Sequence, residues 1–211
     1  MTRWIFAMAL ACGLCAGSAA VSAQDQTAAQ NGQAQPGQTQ SGQAGTPQNP
    51  TTPAVPPPAA RVTDVSSPDA ILAATYDVIS GPAGQKRDWD RFRSLFLTDA
   101  RLIAVAKKPG GGIVARTVTP EQYAALADSY FDKNGFYEKE SSRHADRYGN
   151  IMQIFSTYES RHDAKDAQPF ARGINSFQLF FDGTRWWVVT IYWQEESPDN
   201  PLPKEFLPPA Q

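Results

Sequence analysis

The sequence predicts an α+β domain in which three helices precede a mostly antiparallel sheet of long strands. Three observations carry this. The run FARGINSFQLFFDGTRWWVVTIYWQEE, residues 170–196, holds two strand-like segments joined at Asp182-Gly183, a pair that tolerates the positive φ of a tight hairpin. Its second half carries Trp186, Trp187, Tyr192 and Trp193, too much aromatic area for an exposed ribbon, so it belongs in the middle of a covered sheet. Upstream, Ser67-Pro68-Asp69 and Thr119-Pro120-Glu121-Gln122 are two helix starts, the second with the reciprocal pattern of a capping box.

In chain order, Ser67 caps the first helix, Ile71, Leu72, Tyr76, Val78 and Ile79 form its apolar stripe, and Ser80-Gly81-Pro82 stops it. A second, short helix covers 88–96, with Trp89, Phe92, Leu95 and Phe96 on one face and Asp88 and Asp90 at its N-terminal end. Two β-like runs, 101–106 and 113–118, flank Lys107-Lys108-Pro109-Gly110-Gly111-Gly112. No Gly-Lys-Ser/Thr and no helix start follows those glycines, so they form a hairpin tip and not a phosphate loop. The helix that Thr119 opens carries Tyr123, Leu126, Ala127, Tyr130 and Phe131. Four longer strands follow, at 136–148, 151–161, 170–181 and 185–195.

Strand faces extend the argument. On the last strand Trp186, Val188, Thr190 and Tyr192 alternate with Trp187, Val189, Ile191 and Trp193, so both faces are apolar. A sheet with one wet face alternates with polar residues. Here the helices cover one face and a second copy of the sheet covers the other, which predicts a homodimer through the outer face.

The chain of 211 residues opens with Arg3, an apolar run over 4–16 and Val21-Ser22-Ala23, the pattern of a secretory signal cleaved after residue 23. The apolar run is too short for a membrane span, and no stable anchor remains after cleavage. Cys12 and Cys15 both fall inside it and lack a lipoprotein box, so the mature chain has no cysteine, no disulfide and no thiolate chemistry. Residues 24–62 form a Gln/Pro/Ala-rich linker that is too polar to fold, and 63–211 form one domain with a Pro-rich tail. The expected location is periplasmic or secreted. Lysines and arginines number 19 against 21 acidic residues, a net charge of −2 that becomes −3 once Arg3 is removed. A chain this close to neutral, with no basic run, is not built for nucleic acid.

Residues 67–196 resemble the nuclear transport factor 2-like superfamily in its SnoaL-like branch. The residues that carry the resemblance are DWDRFRSLFLTDA, the capped third helix, FYEKESSRHADRYGNIMQIFSTYES, RGINSFQLFFDG and RWWVVTIYWQEE. The resemblance implies a cone, a strongly curved sheet wrapped around three helices to leave a pocket, and dimers built on the sheet's outer face. It also implies that any chemistry would be isomerase, dehydratase or cyclase chemistry without metal or cofactor, using a pocket base beside a hydrogen-bond donor. None of the family's catalytic motifs is matched residue by residue.

The candidate residues therefore come from the strands. By period two, Glu138, Glu140, Ser142 and His144 share one face. If it lines the cone, Glu140 and His144 form an acid/base pair with Tyr158 as donor; if it faces solvent, they are ordinary surface groups. Tyr158, Arg172, Asn175 and Gln178 punctuate apolar strands, where a buried polar group needs a partner. They either bind a ligand, Arg172 as a carboxylate clamp, or satisfy one another. Arg172 and Gln178 lie on one face and Asn175 on the other. Trp187 and Trp193 either wall the pocket or belong to core and interface. His162 sits in a polar loop, and two distant histidines without cysteine do not make a zinc site. The tail from Ser197 to Pro203 is placed across the mouth of the cone. These readings favour a non-catalytic module that binds a small, partly apolar ligand, with a lyase or isomerase of the ketosteroid isomerase type as the alternative.

Overall fold

The structure, a computed structural model, describes residues 56–108 and 110–208. The expected signal segment and most of the expected linker lie outside these residues. A short helix α1 (Val62–Val65), absent from the sequence reading, precedes α2 (Pro68–Ile79) and α3 (Trp89–Ser94). Ser67 Oγ accepts the Ala70 N–H to start α2, and the Asp88 carboxylate accepts the Arg91 N–H to start α3. Strands β1 (Phe96–Lys107) and β2 (Ile113–Val118) form a hairpin across the glycine-rich tip, where Gly110, Gly111 and Gly112 all have positive φ. Helix α4 (Pro120–Phe131) carries the expected capping box, with Thr119 and Gln122 each bonding the other's backbone N–H.

Strands β3 (Tyr137–Tyr148), β4 (Ile151–Arg161), β5 (Ala171–Phe181) and β6 (Trp186–Glu195) complete one curved six-stranded sheet in the order β2-β1-β6-β5-β4-β3. Every pairing is antiparallel except β1 with β6, which is parallel. The observed class is the expected one, α+β with helices against a mostly antiparallel sheet. Helix α2 packs on β3 and β6, while α3 and α4 pack on β1. The layer between holds Ile71, Leu72, Phe92, Phe96, Phe136, Tyr158, Phe177 and Trp193, all buried. Arg87 closes the C-terminal end of α2 from inside: its Nε and Nη2 donate to the carbonyls of Ile79 and Gly81 at 2.9 and 2.8 Å. The guanidinium also lies over Phe131, 4.7 Å from the ring centre.

Two β-bulges change which side chains point inward. In β3, Glu140 pairs with Tyr158 but Ser142 pairs with Thr157, so Ser141 is an extra residue. In β6, Leu179 pairs with Val188 and Gln178 with Thr190, so Val189 is extra. The inner face of β6 is therefore Trp186, Val188, Ile191 and Trp193, and not either set of the strict alternation. Trp187 and Trp193, expected on one face, lie on opposite faces.

Beyond Pro203 the C-terminal tail packs on the sheet. A 3₁₀ turn at Lys204–Phe206 lies on the outer face, where Phe206 packs on Phe155 with ring centres 5.6 Å apart. Thr157 Oγ1 donates to the Phe206 carbonyl at 2.6 Å. The apolar outer face draws the tail, which hides Thr157 while Phe155 stays half open.

Gly173 marks the tightest approach in the sheet. A Cβ there would stand 2.4 Å from the Gln194 carbonyl oxygen and 2.6 Å from Tyr158 Oη, so the phenol crosses β5 through the space that glycine leaves. Replacing Gly173 with alanine is expected to destabilise the domain by about 1–3 kcal/mol, the range for an overpacked core. Thermal unfolding checks this; an unchanged Tm would contradict it.

Candidate functional site

The inner wall where α2 meets β3, β4 and β5 carries most of the buried polar groups of the sheet. Glu138, Ser156, Ser160 and Asn175 point inward from the strands, and Tyr76 meets them from α2. Helical spacing places Tyr76 on the same stripe as Leu72 and Ile79, and this stripe is the one α2 buries.

The carboxyl of Glu138 is at the centre. Its Oε2 accepts from Ser160 Oγ at 2.8 Å and its Oε1 from Asn175 Nδ2 at 3.2 Å. The main chain of Glu138 is tied to α2 as well, since its N–H donates to Ser80 Oγ at 3.0 Å. A second chain of bonds runs beside the first. Ser156 Oγ donates to the Glu140 carboxylate, which accepts Arg143 on its other oxygen at 2.7 Å. The one proton of Ser156 is thereby used, so Tyr76 must be the donor in its 2.7 Å bond to Ser156. Asn175 Nδ2 then donates to Tyr76 Oη at 3.2 Å and joins the two chains.

Burial dominates the electrostatics of this cluster. Desolvation pushes the Glu138 carboxyl up to about 7, against the opposing pull of its bonds from Ser160 and Asn175. The Tyr76 and Tyr158 phenols are pushed well above their ordinary range by the same burial, with Glu138 adding repulsion, so both remain neutral. Two cluster atoms have no hydrogen-bond partner although shielded from water, Tyr158 Oη and Asn175 Oδ1.

A cleft of about 500 Å³ opens between α2 and the first half of β3. Tyr76, Glu138, Glu140 and Arg143 line it together with Ala73, Tyr137 and Arg161. Arg143 holds its rim by pairing with both Asp69 and Glu140.

The residues expected from sequence divide sharply. Glu140, Tyr158 and Asn175 come together on the inner wall. His144 does not. The extra residue at Ser141 turns it outward, where its side chain is 68% exposed beside Asp146. Glu140 and His144 consequently form no pair, and Arg143 takes the inward place instead. Arg172 and Gln178 share one face opposite Asn175, as expected, and it is the outer one; the Arg172 fork is already filled by Glu196 at 2.8–2.9 Å, and Gln178 is exposed. Trp193 is buried inside against the core, and outside Trp187 donates to Asp182 at 2.7 Å beneath Arg185. Glu138, named in sequence only as a neighbour of Glu140, is the group that sequence reasoning undervalued. Its strand is polar throughout, so nothing in the local sequence set this one carboxylate apart from its exposed neighbours. Among the described residues, no group of three or more histidines and carboxylates is placed to hold a metal ion.

No family model matches the chain, and no curated protein matches it. Similar solved structures include a nuclear transport factor 2-like protein of unknown function from Silicibacter pomeroyi, 13% identical, with 62% of this chain and 94% of that chain covered and a TM-score of 0.42. Another is a protein provisionally described as a ketosteroid isomerase from Parabacteroides distasonis, 12% identical, with coverage of 62% and 89% and a TM-score of 0.43. A third is a nuclear transport factor 2-like superfamily protein from Salmonella enterica, 16% identical, with coverage of 64% and 85% and a TM-score of 0.40. The resemblance read from the sequence is one of fold, carried by this chain's own element order and sheet order.

The raised pKa of Glu138 has a thermodynamic consequence. Between about pH 4.5 and pH 7 the folded state holds a proton that the unfolded state has released, so stability falls as pH rises through that window. The total loss is roughly 3 kcal/mol for a shift of this size. Glu138→Gln is expected to flatten this part of the curve and to leave the variant more stable than the parent at pH 8. Urea unfolding at pH 5 and pH 8 measures it; parallel curves for parent and variant would contradict the assignment.

Proposed function

We propose that the protein is an exported, non-catalytic module that binds a small, partly apolar molecule in the cleft between α2 and β3. The observation that carries this reading is the cleft itself. Its volume is within the range of small-molecule sites, and it combines apolar wall (Ala73, Tyr137) with a few oriented polar groups (Tyr76, Glu138, Arg143). Export is supported by the signal pattern of residues 1–23. The non-catalytic reading is supported by the state of the polar groups. Both oxygens of Glu138 are engaged by Asn175 and Ser160, and His144 is on the far face.

A second reading, a lyase or isomerase, is favoured by one observation, the near-neutral carboxyl of Glu138 beside the phenol donor Tyr76. A base at pKa about 7 is matched to proton transfer at physiological pH. In that case Glu138 takes the role expected of Glu140 or His144, and Glu138→Gln abolishes turnover.

The outer face supports a dimer. Ile151, Phe155 and Tyr192 are exposed there at 60%, 39% and 46%, beyond what the tail covers. Light scattering at micromolar concentration is expected to read twice the chain mass; a monomer would refute the dimer.

Ligand binding has a direct test. Protein purified from its own compartment is expected to release a small molecule on denaturation, detected by native mass spectrometry. Ala73→Trp, which fills the cleft from an exposed position of α2, is expected to lower the loaded fraction at least about tenfold. Equal loading of parent and variant would place the ligand elsewhere. An empty parent would remove the reading.

A further inference from the structure

The outer face of the sheet carries an apolar row, and the C-terminal tail occupies one end of it. The strand register sets Phe155 of β4, Ser176 of β5, Tyr192 of β6 and Ile103 of β1 side by side across four strands. Thr157 and Ile174 form the neighbouring rung. The tail reaches this end of the face as a Pro-rich segment. Pro198, Pro201 and Pro203 remove backbone donors, so it cannot add to the sheet as a further strand. Leu202, Phe206 and Leu207 are half-buried, whereas Pro201, Pro203, Lys204 and Glu205 are exposed.

A few separate contacts hold the tail. Phe206 packs on Phe155, Thr157 Oγ1 donates to the Phe206 carbonyl, and Ser142 Oγ donates to the Leu207 carbonyl at 3.4 Å. Nearer β6, the Leu202 N–H donates to Glu196 at 3.1 Å, and Asp199 pairs with Lys107 at 3.0 Å with both side chains largely exposed. Exposed ion pairs of this kind contribute little. Segments held by so few buried contacts open at the low end of a protein's stability range. Two sheets packed face to face stand about 10 Å apart, and their own side chains fill the gap. The turn over Phe155 takes up that space, so a second copy on this face cannot reach Phe155 while the tail is docked.

We propose that residues 197–208 form a detachable strap that competes with a second copy of the chain for Phe155 and Thr157, so that tail docking and full dimer contact exclude each other. The inference rests on the reading of the outer face as the dimer surface and adds its regulation. In the single chain Phe206 shields from water the ring that the partner shields in the dimer. Tyr192, two strands from Phe155 on the same row and 46% exposed, stays open to a first contact with the partner. The strap then leaves, and the interface spreads along the row to Phe155.

Hydrogen–deuterium exchange of the full chain, read on its C-terminal peptide at concentrations spanning the dimer transition, follows the competition directly. The Phe206 and Leu207 amides, bonded to the Pro203 and Lys204 carbonyls in the docked turn, are expected to exchange at least about fivefold faster in the dimer. Sedimentation velocity supplies the reciprocal measurement. Phe206→Ala, which removes the anchor and leaves the sheet intact, is expected to lower the dimer dissociation constant at least about tenfold. Asp199→Lys, which breaks the pair with Lys107 and alters no residue of the apolar row, is expected to lower it by a smaller factor. Unchanged or slower exchange in the dimer would overturn the strap while leaving the dimer. Weaker dimerisation of Phe206→Ala would overturn it as well, because Phe206 would then belong to the interface. A monomeric parent beside a dimeric Phe206→Ala would support the strap and show it closed in the parent. Parent and both variants monomeric at the highest concentration would overturn the inference together with the dimer reading beneath it.

Discussion

The buried carboxyl of Glu138 is the constraint on which the inner wall depends. It belongs to β3, an edge strand with one neighbour, and such strands are held by whatever else can reach them. Ser160 ties it to β4, Asn175 ties it to β5, and through Asn175 the same carboxyl is linked to Tyr76 on α2. A buried ionised carboxylate would cost far more than these neutral donors return, and the near-neutral pKa is how the protein lowers that penalty. The cleft is a consequence of this arrangement. Polar contacts join α2 to β3 at this point, so the gap between them is lined by charged and polar groups beside Leu72, Ala73 and Tyr137.

How far the sequence discloses this structure depends on the element. Helix starts at Ser67 and Thr119, the Asp182-Gly183 hairpin and the span of β4 are written in local chemistry, because caps and tight turns depend on a few adjacent side chains. Helix α1 is a single turn without a side-chain cap, which leaves no such mark. The parallel contact between β1 and β6 joins segments some ninety residues apart, and no local pattern encodes it.

The bulges account for the rest. A bulge adds one residue and reverses the phase of every side chain beyond it. Ser141-Ser142 carries no glycine or other signal to show which residue is extra, so a period-two count from Glu138 places His144 inside when it is outside. The same error in β6 puts Trp187 and Trp193 on one face. Asn175 and Arg172 escape it because the β5 strand is the unbulged partner, and there alternation assigns faces correctly. The candidate site was thus legible on β5, half legible on β3 and hidden where Glu138 gains its character, since that depends on burial by α2.

The central claim is that Glu138 is a buried, near-neutral carboxyl linked to Asn175 and Ser160. Its most direct test is a site-specific ¹³C NMR titration of the Glu138 side-chain carboxyl in the folded protein. The account predicts a midpoint near pH 7, with the Asn175 side-chain amide resonances moving over the same range. A midpoint near 4.5, or an Asn175 amide that does not respond, would contradict it.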